Sequence, residues 1–336
     1  MKKIYLLTLL VTAVTLRVNA NADEIRINGN KIKVNGRNIR INGETYREGD
    51  FFSLNSGVRN KRIDGSGIEV SEKRKTRKFN AIMTSMAIDV FLTQGDSETI
   101  EVKADKNIIP YVRTEVDNGV LKIFYEGNIS IKLNKVRTRV YVTAREISSL
   151  RASSSSDITI QGILTADDLD IRTSSSSDMR GTVECRGTLS VNASSSADVI
   201  LKGRAANATL SASSSADIMA TINVKNNLEV SSSSSSEITM DATAENCTVN
   251  ASSNSEISLK GRSRTAEVNA SSSGEIDMEN MECEDVVAKA SSAGDITLWA
   301  TQSLEASAAS GGEIEYKGNP SVKNISKSSG GTVKKD

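Results

Sequence analysis

An acidic residue recurs through the C-terminal half of this chain with a nearly fixed period. It stands at Asp157, Asp178, Asp198, Asp217, Glu237, Glu256, Glu275, Asp295 and Glu313, with spacings of 21, 20, 19, 20, 19, 19, 20 and 18 residues. A tenth copy, Ser328-Ser-Gly-Gly-Thr332-Val, lacks the acid. A repeat of this length is one supersecondary unit that cannot bury its apolar face alone, so successive units must stack.

Aligning the copies on the acid gives columns. One position after it stand Ile158, Met179, Val199, Ile218, Ile238, Ile257, Ile276, Ile296 and Ile314. Seven before it stand Leu150, Ile171, Val191, Leu210, Val230, Val249, Val268, Ala288 and Ala306. Five before it the residues are small, from Ala152 to Ala308, and three before it every copy has Ser, from Ser154 to Ser310. Strand side chains alternate faces. The odd offsets therefore share one face, and the aliphatics make it the interior. This parity also places the all-Ser column inward, where stacked hydroxyls would hydrogen-bond from rung to rung. The acids point to solvent. Helical spacings of three and four do not occur.

The predicted fold is all-β: a right-handed parallel β-helix of about 20-residue rungs with an N-terminal β capping block. The ladder spans 148–333. The block before it alternates strongly, as in Asp89-Val-Phe-Leu-Thr, Thr99-Ile-Glu-Val-Lys and Val120-Leu-Lys-Ile-Phe-Tyr125. Asp117-Asn118-Gly119 is a hairpin signal. Residues 44–78 are polar and read as a linker or loose lead-in. Before them, Ile25-Arg-Ile-Asn-Gly29, Ile32-Lys-Val-Asn-Gly36 and Ile39-Arg-Ile-Asn-Gly43 repeat every seven residues as short strands ending in Asn-Gly. Their basic residues Arg26, Lys33 and Arg40 read as a solvated face that discourages edge pairing.

Lys2 and Lys3 precede an apolar run from Ile4 to Leu16, and Ala20-Asn21-Ala22 follows as a cleavage site. This is the order of a secretory signal, so 1–22 is assigned as one and 23–63 as lead-in and linker. Export leads to the periplasm, the outer-membrane surface or the medium. No membrane span remains once the signal is removed. Removal of Lys2, Lys3 and Arg17 leaves 39 basic against 42 acidic residues, a balance that excludes nucleic acid as a partner.

Stacked acids repel by roughly 0.9 kcal/mol per neighbouring pair in water at about 4.8 Å. Turn capping, a neighbouring Lys four positions on (Lys202, Lys260 or Lys317), or weak calcium binding would relieve this. No other cofactor is indicated. The sole Trp, Trp299, falls at an outward position and is the exposed aromatic candidate. Cys185, Cys247 and Cys283 lie two or three rungs apart, about 10 Å or more, beyond disulfide reach. The chain has no His, which removes His-dependent nucleophiles and zinc sites. Regular rungs leave little material for the cleft that a carboxylate-based glycosidase needs.

The stretch Lys78-Phe-Asn-Ala-Ile-Met-Thr-Ser-Met-Ala-Ile-Asp-Val-Phe-Leu-Thr-Gln-Gly95 resembles the opening of the head GIN domain family, of autotransporter-adhesin type and common in Bacteroidetes envelopes. So does Thr114-Glu-Val-Asp-Asn-Gly-Val-Leu-Lys-Ile123. The Ser runs resemble its Ser-Gly-Ser-Gly signature, with Ser largely in place of Gly. Glu313-Ile-Glu-Tyr-Lys-Gly-Asn-Pro320 and Ser328-Ser-Gly-Gly331 resemble its last two rungs. The resemblance covers 64–333 and implies a β-helix at the envelope. The expected function is a non-catalytic binding module of adhesin type, with a glycan or a host or envelope protein as partner. A structural or assembly role is the alternative, and a carboxylate-based polysaccharide enzyme the minor one.

Overall fold

The computed structural model describes residues 61–127, 129–132 and 137–336, together with the pairing of four strands between residues 25 and 47. The chain forms two compact units, Met1–Arg62 with Asn128–Ser130, and Ile63–Gly127 with Ile131–Asp336. The signal segment 1–22 lies outside the described residues.

In the first unit, strands Ile25–Ile27, Asn30–Asn35, Asn38–Ile41 and Glu44–Arg47 pair antiparallel in sequence order. Ile25 lies opposite Ile32, Ile32 opposite Ile41, and Ile39 opposite Tyr46. The seven-residue period thus sets the register. The fourth strand falls where the sequence reads as linker. Thr45 and Tyr46 are strand formers, and the polar composition around them hides this.

The second unit is a parallel β-helix of about 10 turns. Its columns run unbroken: Ile158 pairs with Met179, Met179 with Val199, and so on through Ile218, Ile238, Ile257, Ile276, Ile296 and Ile314 to Val333. The column from Leu150 through Val230 to Ala306 is equally continuous. Nearly every member of both columns is buried. Each large side chain removed from water contributes roughly 1.5–3 kcal/mol, so the ladder is held by its inward aliphatics.

The N-terminal block is not only a cap. Ala81–Thr84 and Asp89–Gln94 form a full rung: Ile82 pairs in parallel with Leu150, and Val90 with Ile158. Antiparallel strands then close that end. Thr99–Asp105 lies on Arg139–Ala144, and Glu69–Arg74 lies on Thr99–Asp105. The hairpin Val112–Asp117/Val120–Tyr125 turns at Asn118 and Gly119, both at positive φ. Lys61–Asp64 and Glu69–Arg74 are strands inside the segment read as linker.

The corners overturn one expectation. The all-Ser column points outward: Ser154, Ser175, Ser195, Ser214, Ser234, Ser253, Ser272, Ser292 and Ser310 are exposed. In rung after rung this Ser and the residue after it both adopt left-handed φ, for example Ser175 (58°) and Ser176 (57°). Two left-handed residues in succession break the strand alternation, so parity does not carry across the corner. The buried corner residue is the one just before the acid, as in Ser156, Ser177, Ala197, Ala216, Ser236, Ser255 and Gly274. The rungs are stitched there by backbone bonds: Ser176 N–H donates to Ser195 O (3.1 Å), and Ser196 N–H to Ser214 O (3.1 Å).

The C-terminal end is closed by lysine. Lys323 continues the Leu304 column and Lys327 the Ala308 column. Lys327 Nζ donates to Val333 O at 2.7 Å. A terminal rung with polar residues in core columns is a solenoid cap. All three cysteines are buried and free, but they do not share one column: Cys247 pairs with Leu228 and Ala266, whereas Cys283 pairs with Ser263. Burial pushes the Cys185 thiol up to about 11.

Candidate functional site

The acids form one outward column because each opens a strand, or at Asp157 immediately precedes one, at the same register. Asp178 pairs with Asp198, Asp198 with Asp217, Asp217 with Glu237, Glu237 with Glu256, Glu256 with Glu275, Glu275 with Asp295, and Asp295 with Glu313. Asp157 lies on the rung before Asp178, whose N–H donates to its Oδ1 at 3.2 Å. Asp89 heads the column one rung earlier, since Val90 pairs with Ile158. Sequence periodicity missed Asp89 because more than 60 residues of cap separate it from the next rung. Thr332 closes the column opposite Glu313.

Among the described residues, cations form ion pairs with the column only at its two ends. Arg137 lies 3.3 Å from Asp89 and 3.9 Å from Asp157. Arg180 lies 3.4 Å from Asp178, and Lys334 lies 2.8 Å from Glu313. The six acids between, Asp198, Asp217, Glu237, Glu256, Glu275 and Asp295, form no ion pair among the described residues. Lys202, Lys260 and Lys317, four positions on, do not pair with the acids. Lys317 instead lies over the Trp299 ring, 4.7 Å from its centroid. Trp299 is accordingly half-buried rather than a free platform.

The crowding shows in the acidities. Partial burial raises Asp198, and the carboxylates of Asp178 and Asp217 raise it further. Burial and Glu237 raise Asp217, while the Glu237 N–H works against them. Burial raises Glu256, helped by Glu275, Glu237 and Asp277. Burial and Glu313 raise Asp295. Each of these groups holds its proton more readily than an isolated carboxylate does.

Two outward residues beside the column are large, apolar and exposed. Ile200 and Met219 sit in register on successive strands, 45% and 59% exposed. They alternate correctly with the core residues, so only the sequence position of an apolar residue at an outward offset signals them. Among the described residues, no group of three or more Asp, Glu, Cys or His side chains is placed to share a metal ion. A separate surface groove of about 470 Å³ crosses the rungs at Lys225, Glu245, Arg262, Arg264, Glu282 and Glu284. Its charges are mixed, and Arg264 pairs with Glu245 within it.

The fold has solved counterparts. A "putative adhesin" from Parabacteroides merdae superposes with a TM-score of 0.50 at 21% identity, covering 82% of this chain and 99% of its own. A "putative lipid binding protein" from Parabacteroides distasonis does so with a TM-score of 0.50 at 25% identity, covering 82% and 100%. No curated protein matches the chain. The profile described as "Putative auto-transporter adhesin, head GIN domain" matches residues 78–222 and 219–320. Together these matches run through the first rung, the cap and all but the last rung, and the chain belongs to that head GIN domain family.

Proposed function

We propose that this protein is an exported, non-catalytic binding module of adhesin type, acting at the cell envelope or surface along the flank that carries the acids. One observation supports this above the rest. Six successive carboxylates face outward at strand spacing, without an ion pair from the described residues, beside the exposed Ile200 and Met219. Such a row repels itself. A partner bearing cationic groups relieves that repulsion as it binds, so the flank favours a basic protein surface or an amino-bearing glycan over an anionic polymer. The 25%-identical relative is described as lipid binding. The interior columns here are filled by side chains, which leaves any lipid to meet the outer surface by its headgroup. The absence of His and the regular rungs support the non-catalytic reading.

The lysine-closed end supports an assembly role less well than a binding role, because end-to-end stacking would bury Lys323 and Lys327. The test is binding of the purified chain to arrayed glycans, host matrix proteins and envelope proteins, beside a variant carrying Asp198→Asn, Asp217→Asn, Glu237→Gln and Glu256→Gln. The expected result is a saturable hit that weakens with salt and falls by about tenfold or more in the variant. A blank array with folded protein would move the assignment to a structural role.

A further inference from the structure

The rungs do not all turn the next corner with the same number of residues. Past the outward acids, the chain bends between two inward columns: Val224 to Leu228, Ala244 to Cys247, Ser263 to Ala266, Cys283 to Val286 and Ala300 to Leu304. Three residues make this corner after Val224 and again after Ala300. Only two make it in the rungs between: Glu245-Asn246, Arg264-Thr265 and Glu284-Asp285. Three short corners between two long ones leave a recess, and the groove of about 470 Å³ opens over it. Four steps of about 4.8 Å separate the long corners, roughly 19 Å.

Its walls are fixed. Lys225 N–H donates to Ala205 O at 3.0 Å and Asn226 N–H to Ala206 O at 2.9 Å, which ties the first long corner to the rung behind it. Asn246 Nδ2 donates to Asn227 Oδ1 at 3.0 Å, and Asn227 Nδ2 to Asn207 Oδ1 at 3.1 Å. At the other long corner Thr301 Oγ1 donates to Cys283 O and Gln302 Nε2 to Glu284 Oε2, both at 3.1 Å. Small residues, Ala244 and Ser263, line the recess between. The Ser263 hydroxyl is buried and donates to Thr265 O at 2.8 Å.

The charges in the recess are unequally engaged. Arg264 pairs with Glu245, and Glu284 accepts from Gln302. Lys225, Arg262 and Glu282 have no ion pair and no side-chain hydrogen bond among the described residues. Arg262 is central: Thr243 stands in register on one side of it and Glu282 on the other. Two cations and one carboxylate are thus left for a ligand. A guanidinium grips a carboxylate through two parallel hydrogen bonds, and a free carboxylate accepts from hydroxyls. The strands bordering the recess are paired on both sides, so an extended peptide finds no edge to lengthen. Val224 and Ala244 are the only apolar residues lining the groove, too few to bury an apolar anchor.

We propose that this recess binds an acidic sugar of a glycan chain, with its carboxylate on Arg262 and Lys225 and its hydroxyls on Glu282. It is a second site, separate from the acid flank: Thr243 lies six positions after Glu237 on the same strand, up to about 20 Å away. Its preference is also the opposite, for an anionic ligand.

The test is calorimetric titration of the purified full chain with trigalacturonate, a glucuronate trisaccharide and sialyllactose, beside maltotriose as the neutral control and tetraglutamate as the acidic peptide. The expected result is saturable binding of at least one acidic sugar at one site per chain, with maltotriose and tetraglutamate at least tenfold weaker. Arg262→Gln should weaken that binding by about tenfold or more, and Lys225→Gln by a smaller factor. Arg262 is exposed and outside the core columns, so unchanged far-ultraviolet dichroism is expected in the variant. Glu237→Gln with Glu256→Gln, on the flank, should leave the sugar affinity within about twofold. The proposal is overturned if no acidic sugar saturates, if maltotriose or tetraglutamate binds equally well, or if binding survives Arg262→Gln. Loss of sugar binding in the flank variant alone would place the ligand on the flank and overturn it too.

Discussion

Ser236 and Gly294 hold the same place, just before the acid, and close the corner by different chemistry. Ser236 Oγ donates to Ser233 O at 2.8 Å and accepts from Ser233 N–H at 3.1 Å. Ser177 does the same with Ser174. Ala197 and Ala216 already lack the hydroxyl, and from residue 274 onward Gly stands there and the turn tightens. Gly274 N–H donates straight to Ser271 O, and Gly294 N–H to Ser291 O, each at 2.9 Å. A Cβ on Gly294 would fall 2.5 Å from Ala270 O. Gly294→Ala should therefore cost about 2 kcal/mol or more through backbone displacement. Ser236→Ala should cost about 1–3 kcal/mol through unpaired backbone groups. Ser235→Gly, at a left-handed φ of 59°, should be neutral or stabilising by up to about 1 kcal/mol, as strain relief competes with unfolded-chain entropy. Urea unfolding midpoints at equal m-value order the three. The inward aliphatic positions were legible from alternation. The corner serines were not, because two left-handed residues reverse the parity on which that alternation rests.

At the scale of the element, the acid column behaves as one titrating strip. Asp198, Asp217, Glu256 and Asp295 all have raised pKa values, burial first and neighbouring carboxylates second. The sign follows from linkage: a folded carboxyl with a raised pKa binds its proton more tightly than the unfolded chain does. Its contribution is unfavourable at neutral pH and is relieved as pH falls through the folded pKa, down toward the ordinary values of 3.8 and 4.5. Tm should thus rise on mild acidification from pH 7, the reverse of the usual acid loss. Glu256→Gln and Asp217→Asn should raise Tm at neutral pH and flatten the profile, and added salt should mimic them. A Tm that falls monotonically with acid in parent and variants alike would show that the strip carries no strain. The column itself was legible, since its members recur at one register at the start of each strand. Its first member, Asp89, and the cation Arg137 were not, because both lie in the cap, outside the period.

At the scale of the molecule, the question is what keeps a parallel ladder from growing. A β-helix presents an unpaired strand edge at its last rung, and such an edge templates further pairing. Here Val322–Lys327 and Thr332–Lys335 are that rung. Val322 and Ile325 are 64% and 41% exposed, apolar enough to dock against another copy. Against them stand Lys323 and Lys327, in columns occupied one rung earlier by Leu304 and Ala308. A second copy stacking here would bury both ammonium groups without a counter-ion, a cost of several kcal/mol per ion. The lysines thus permit the core columns to end. Lys323→Leu with Lys327→Ala would continue the aliphatic columns to the very end and remove that barrier. The expected outcome is concentration-dependent self-association in sedimentation velocity, with far-ultraviolet dichroism unchanged, while the parent stays at one mass over the same range. If the double variant also stays at one mass, the geometry of the last rung, and not its charge, is what stops the ladder.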